Sequence, residues 1–474
     1  MNRHRRGAYG LLIRHVMAPT MDALRGTHTM RALRELEDSQ WWPLSRLEEL
    51  QATKLNALIS HAYQNVPYYR RLMERANLRP CAIRSVADLP RFPVLTRDIV
   101  RTSLTEMRAT DYPAHKLRRG TTGGSTGQPL VFYSTLDDQR TRGFARGIRA
   151  LQYAGVDLGE RRLLIRIQRH RTSSRERALH RLSRILENVH ELDSRDITES
   201  TLPGIVSYLD RDDVRCLTGY PSAVSFIASW IEENDTTVPA LDAIVTGGEQ
   251  LFAHQRQRIR NVLGLEPFSK YSTNEVFEIA MECETHSGMH VAAEDLIVEI
   301  VDEEGKPVPP GTEGRVLITN LHNYGMPFIR YDLEDTGAFL AGPCPCGREL
   351  PRLSHVLGRR FDMIHTPSGR HVSGANLGTN RLANMPVRKF QFVQEALDHL
   401  VIRLVALPGT PDSDLSAMRS RIPPMLNEIL GDDVRVEVRF QDDIELTSGG
   451  KHLLVISKVD PESWLNKGPT ADSR

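Results

Sequence analysis

From Thr121 to Gly127 the chain contains only glycine, serine and threonine: Thr121, Thr122, Gly123, Gly124, Ser125, Thr126 and Gly127, followed by Gln128 and Pro129. Glycine lets a backbone take positive φ and approach a ligand closely. Successive main-chain N–H groups in such a loop cradle an anion, and the hydroxyls add donors to phosphate oxygens. The run is not a Walker loop, because the Gly-Lys-Ser/Thr ending is missing and Gln128 stands where lysine is expected. It is not a dinucleotide fingerprint either, since no short strand-to-helix GxGxxG unit surrounds it. The guest this loop expects is a polyphosphate; the bland alternative is a flexible turn.

Four further segments fit the loop. Gly247, Gly248 and Glu249 follow the apolar run Ala243-Ile244-Val245. Tyr271-Ser272-Thr273-Asn274-Glu275 offers an aromatic face, hydroxyls and one carboxylate. Arg330-Tyr331-Asp332-Leu333-Glu334-Asp335 ends on an acid, and Gly449-Gly450-Lys451 sets a lysine beyond a glycine turn. In this order they resemble the adenylate-forming superfamily of acyl- and aryl-CoA ligases. The closer likeness is to phenylacetate–CoA ligases and their CapK-like relatives of capsular polysaccharide biosynthesis. His61-Ala62-Tyr63-Gln64-Asn65-Val66-Pro67-Tyr68-Tyr69-Arg70 and Pro93-Val94-Leu95-Thr96 carry the same likeness, which runs from about residue 30 to 458.

The resemblance implies that ATP and a small-molecule carboxylic acid give an acyl-adenylate and pyrophosphate. Thr121 to Gly127 would hold the β- and γ-phosphates, Gly247, Gly248 and Glu249 would border the adenine, and Tyr271 would stack on it. Glu275 would help to hold Mg²⁺, a hard ion that takes oxygen ligands. Asp335 would accept the ribose hydroxyls and Arg359 would contact nucleotide oxygens. Lys451 would neutralise charge at the α-phosphate, which is electrostatic rather than covalent catalysis. CoA is the implied final acceptor, giving a thioester. An amine or hydroxyl acceptor is the near rival, and a degenerate nucleotide-binding scaffold is the rival from another class. Ser272 and Asn274 depart from the superfamily's usual glycine and hydroxyl. Phe361 stands where the hinge usually has aspartate, leaving Asp362 as the candidate pivot.

A second constellation is metal-like. Cys344 and Cys346, set among Pro343, Pro345 and Gly347, form a tight knuckle, while Cys283 and His290 lie some sixty residues earlier. Together they could complete a closed tetrahedral Zn²⁺ site, structural rather than catalytic. His290 is preferred to His286 because it follows a glycine turn and opens a strand. The bland reading is a buried Cys283 and a bare turn.

These groups need elements to position them. Leu44, Leu47, Leu55, Leu58, Ile59 and Ala62 fall near a 3.6-residue period, predicting helices over about 29–110. From about 130 to 265, apolar runs alternate with helical stretches, predicting parallel α/β layering. Leu296 to Val301 and Arg315 to Thr319 read as a hairpin. The tail carries strands near 390, 400, 434 and 453 and a helix near 413–430, a compact α+β unit. The expected class is α/β: a large adenylate-forming domain over residues 1–357, with a helical extension over about 1–110, and a small mobile domain over 358–474 that carries Lys451.

With 474 residues, 40% hydrophobic and 26% charged, the chain has the composition of an ordinary globular protein of two or three domains. A net charge of +1 gives no global reason to expect nucleic acid. Five unevenly spread cysteines do not form a secreted disulfide framework. The arginine-rich start has only a brief apolar stretch, Ala8 to Ile13, too short for a membrane span. A cytoplasmic location is expected, with a frayed terminal helix or an amphipathic surface contact at the N-terminus. A homodimer is among the assemblies the sequence allows. Thirteen arginines between Arg140 and Arg184 read as a solvated helical face or as a basic platform for an anion. Nothing marks an aryl acid over an aliphatic or sugar acid.

Overall fold

Buried apolar runs between turn residues become the strands of a large mixed sheet. The structure, a computed structural model, describes residues 8–121, 130–166, 177, 181, 184–185, 187–198, 200–211, 213–354, 356, 363–368, 371–373, 377, 382, 385–445 and 453–459. Strands β1 (Leu117–Thr121) and β2 (Val131–Thr135) form a hairpin pairing Thr121 with Val131. Five strands then run parallel to one another: β3 (Arg161–Arg166), β4 (Val189–Asp193), β5 (Val214–Gly219), β6 (Ala243–Gly247) and β7 (Phe268–Thr273). Every residue of β6 is buried, as a parallel strand covered on both faces requires. Two antiparallel strands, β8 (Phe277–Glu282) and β9 (Met289–Val291), continue the sheet beyond β7.

The expected hairpin is β10 (Leu296–Val301) against β11 (Gly314–Asn320), in register from Leu296↔Asn320 to Val301↔Arg315. Strand β12 (Tyr331–Gly337) completes that three-stranded sheet, and β13 (Arg352–Leu353) caps the large sheet beside β9. The large sheet is ordered β13-β9-β8-β7-β6-β5-β3-β4.

The tail has a core of its own. A small hairpin, β14 (Met363–His365) and β15 (His371–Ser373), precedes a four-stranded sheet. That sheet holds β16 (Val387–Ala396), β17 (His399–Ala406), β18 (Arg435–Phe440) and β19 (Val455–Ser457), ordered β18-β17-β16-β19. The helix Asp412–Leu430 lays Met418, Ile422, Leu426 and Leu430 on this sheet at four-residue spacing, despite Pro423 and Pro424 within it. The apolar cluster beneath is made of tail residues alone. The 357/358 boundary expected from sequence lies outside the described residues, as do Phe361 and Asp362.

The N-terminal region is helical at Thr29–Ser39, Leu44–Asn65, Pro67–Arg75 and Arg97–Thr102. Pro67 opens its helix at a position where a missing N–H costs nothing.

Three arginines of the run depart from both readings. Arg142, Arg146 and Arg149, at the start of and within the helix Gly143–Tyr153, share one face and are buried. Their partners are Glu294 and Asp295, brought in from the segment before β10. Asp295 is fully buried and receives Arg142 at 2.7 Å, His322 at 2.9 Å, Lys54 at 3.2 Å and Arg146 at 3.7 Å. Burial would raise its pKa, but His322, Lys54 and Arg142 outweigh that and hold it well below the usual range.

Replacing Asp295 with alanine strands these cations in the interior and should cost about 3–5 kcal/mol in urea unfolding. Glu35→Ala is the control, since that half-exposed partner of Arg142 should cost only about 0–1 kcal/mol.

Candidate functional site

In open α/β sheets, ligands bind beyond the carboxyl ends of the parallel strands. Here β5, β6 and β7 are neighbours, and their ends carry Tyr220, Gly247–Glu249 and Tyr271–Glu275 side by side. Gly248 has φ +81°, and a Cβ there would lie 2.7 Å from the Tyr220 ring. Only glycine lets the backbone take that turn against the aromatic face. The Glu249 carboxylate accepts from the backbone N–H of Ser222 at 3.2 Å, in the first turn of the helix Pro221–Glu233. Its negative charge therefore sits on the positive end of a helix.

Strand β12 delivers the remaining acid. The Tyr271 hydroxyl donates to Asp335 Oδ2 at 2.5 Å, joining residues of two different sheets. Glu275 lies in the turn between β7 and β8 and is 3% exposed. It accepts from the Tyr331 hydroxyl at 3.3 Å and faces Arg97 at 3.5 Å. Arg97 also reaches Glu334 at 2.9 Å. Burial opposes the Arg97 charge, but Tyr331, Glu334, Glu275 and Asp335 outweigh it and raise its pKa. Phe277 (φ +63°), Arg330 (φ +54°) and Glu334 (φ +64°) hold positive φ without being glycine. Such backbone collects where surrounding structure over-determines a site.

Arg97 escaped the sequence reading, although it directly follows Pro93-Val94-Leu95-Thr96. Leu95 clamps the segment to β12 by exchanging hydrogen bonds with Arg330 and Asp332. Thr121 ends β1 and is exposed. Thr122, Gly123, Gly124, Ser125, Thr126, Gly127, Arg359 and Lys451 lie outside the described residues. Just past Lys451, the carbonyls of Leu453 and Leu454 accept from Gln391 and Phe392 of β16. Leu454 also faces a cavity shared with Tyr220, Ser222 and Phe226 of the large part and Val387–Phe390 of the tail.

The cysteine constellation assembles at the end of the sheet. Cys283 follows β8, His290 lies on β9, and the knuckle Cys344–Cys346 precedes β13. Their ligand atoms all fall within 4.8 Å of one another. Cys283 Sγ and Cys344 Sγ are 3.7 Å apart, and Cys346 Sγ lies 3.3 Å from His290 Nε2. A tetrahedral ion with Zn–S bonds of about 2.3 Å demands sulfurs roughly 3.8 Å apart, so the donor set fits. His290 Nδ1 faces the Leu350 carbonyl at 3.4 Å, which leaves Nε2 as the ligand nitrogen. Burial pushes the Cys283 thiol up to about 12 and His290 down to about 4. The Thr285 hydroxyl stands 3.3 Å from Cys344 Sγ.

Residues 364–458 match the family model of the CapK C-terminal domain. The chain is 28% identical to phenylacetate-coenzyme A ligase of Thermus thermophilus, over 68% of this chain and 72% of that one. It is 22% identical to protein CapK of Staphylococcus aureus, over 91% of this chain and 92% of that one. Its fold is that of 2-hydroxyisobutyryl-CoA ligase in the postadenylation state: TM-score 0.73, 21% identity, covering 90% of this chain and 94% of that chain.

Removing the Glu249 carboxylate (Glu249→Ala) should cost about 1 kcal/mol in denaturant unfolding, as helix-start acceptors do. Glu249→Gln, which keeps an acceptor oxygen, should recover part of that loss.

Proposed function

We infer that this protein is an AMP-forming ligase that activates a carboxylic acid with ATP and passes the acyl group to the thiol of CoA. The observation that carries the reading is the Tyr271–Asp335 bond at the rim formed by Gly247 and Gly248. An aromatic face, an acid and a glycine backbone meet there at the carboxyl ends of β6 and β7. That set can stack a base, hold a ribose and admit a phosphate chain. Similarity to phenylacetate–CoA ligases and the shared ligase fold support the same reading.

The roles follow from chemistry. Thr121 to Gly127 receive the β- and γ-phosphates. Gly247, Gly248 and the Glu249 backbone border the adenine, Tyr271 stacks on it, and Asp335 turns from the Tyr271 hydroxyl to the ribose hydroxyls. Arg359 contacts nucleotide oxygens. Glu275 is the carboxylate for Mg²⁺, which would neutralise phosphate charge when bound. Until then Arg97 supplies the counter-charge. A substrate carboxylate oxygen attacks the α-phosphorus, the α–β bridging P–O bond breaks, and pyrophosphate leaves with that electron pair. Lys451, carried by the small domain, holds the developing charge. The CoA sulfur then attacks the acyl carbon, AMP leaves, and the thiol proton passes to solvent. The cavity between Tyr220, Phe226 and the tail gives the acceptor a route beside the segment that follows Lys451. The enzyme works in the cytoplasm, where ATP and CoA are available. Cys283, His290, Cys344 and Cys346 hold a structural zinc with no open position.

Pyrophosphate release from Mg·ATP, measured across a panel of carboxylic acids with acceptors withheld, tests the reading. One acid class should stimulate release, and Lys451→Ala should lower it about 10²–10³-fold. Release unaffected by Lys451→Ala would overturn the proposed site. For the metal, elemental analysis should find one zinc per chain. Cys344→Ser with Cys346→Ser should lose it and lower the unfolding midpoint; full zinc retention would sink the assignment.

A further inference from the structure

The first described helix shows its apolar side to water. Residues Ala8–Arg25 form a continuous rod, with a π-turn at Ile13–Met17. Towards the protein it buries Ile13, and Arg14 reaches Glu37 at 2.8 Å and Asp157 at 3.5 Å. Towards solvent, Leu12, Val16 and Ala23 follow at spacings of four and seven, with Leu11 and Leu24 also exposed, while the Tyr9 hydroxyl donates to the Ile185 carbonyl at 3.3 Å. Leu12 is 46% exposed, Val16 54% and Leu24 78%. Single exposed leucines are ordinary, but a contiguous stripe on one helix marks a docking face.

Charge tells which partner fits. The rod's one acid, Asp22, is engaged internally, accepting from the Thr27 hydroxyl at 2.6 Å and the Met30 N–H at 2.8 Å. Arg25 is exposed at the far end, and the Thr29 hydroxyl just beyond it donates to the Arg140 carbonyl at 3.1 Å; burial lowers the Arg140 pKa, and the Arg118 and Arg25 charges lower it further. Ahead of the rod the sequence reads Met1-Asn2-Arg3-His4-Arg5-Arg6, three arginines without an acid. A second copy would be a poor partner. Two-fold pairing sets a patch against itself, so basic ends would meet basic ends whether the rods ran parallel or antiparallel. An anionic surface with an apolar interior satisfies both halves.

We propose that the rod Ala8–Arg25 docks the enzyme on an anionic lipid bilayer, its apolar stripe in the acyl boundary and Arg25, Arg118 and Arg140 at the headgroups.

Co-sedimentation of the full chain with vesicles tests this, using phosphatidylcholine alone and phosphatidylcholine mixed with phosphatidylglycerol. Binding should require phosphatidylglycerol and weaken with salt. Leu12→Ser with Val16→Ser should reduce it on the order of tenfold or more, and Arg25→Gln should reduce it less. An unchanged thermal midpoint in the double variant shows that it still folds. No binding to the anionic vesicles, or undiminished binding by the double variant, would overturn the proposal. So would a dimer in light scattering that the double variant abolishes, which would make a second copy the occupant.

Discussion

Asp295 is the point on which the large part of the molecule is hung. A carboxylate with no exposed surface is tolerable only when it is well paired, and here three cations, Arg142, Arg146 and Lys54, and the His322 ring surround it. They come from three separate stretches: the helix Leu44–Asn65, the helix Gly143–Tyr153 with its first turn, and the loop after β11. The arrangement fixes more than stability. Arg146 also donates to the Val276 carbonyl at 2.6 Å, and Val276 is the residue after Glu275. The position of the Glu275 carboxylate is thus set by a charge network behind it. A buried ion cluster adds little over well-packed apolar groups, yet it tolerates one arrangement of its members.

The same economy appears at the two ends of the large sheet's central strands. On the carboxyl side of β5–β7, small residues and a Tyr–Asp bond leave room for a ligand. On the antiparallel side, three cysteines and a histidine gather where β8, β9 and the approach to β13 meet. One side is built to receive and the other to be closed. Both rely on glycines with positive φ, Gly248 in the first and Gly288 (φ +90°) in the second. At Gly288 a Cβ would lie 2.8 Å from the Leu353 carbonyl, so the β9–β13 approach itself demands glycine.

What could be read from sequence was whatever is local. The hairpin β10–β11 and the tail strands follow from alternating or continuous apolar runs bounded by turn residues, and the tail helix from a four-residue apolar period. The cysteine cluster was legible because donor type is rare, even though Cys283 and Cys344 lie far apart. The inward arginines were not, since their partners Glu294 and Asp295 follow more than a hundred residues later, and charge runs usually face water. Arg97 was hidden for a related reason. Nothing in Pro93–Arg97 states that Leu95 will join β12 and carry the guanidinium to Glu275.

The small tail unit encloses its own core, and among the described residues its contacts with the larger part mix charged and aromatic side chains. Arg388 meets Glu233 at 3.0 Å and lies over the Phe226 ring, and the Phe390 and His254 rings stand 5.4 Å apart between centroids. A molecule entering the cavity between the two parts would touch both at once, and would favour whichever arrangement of them it binds more tightly.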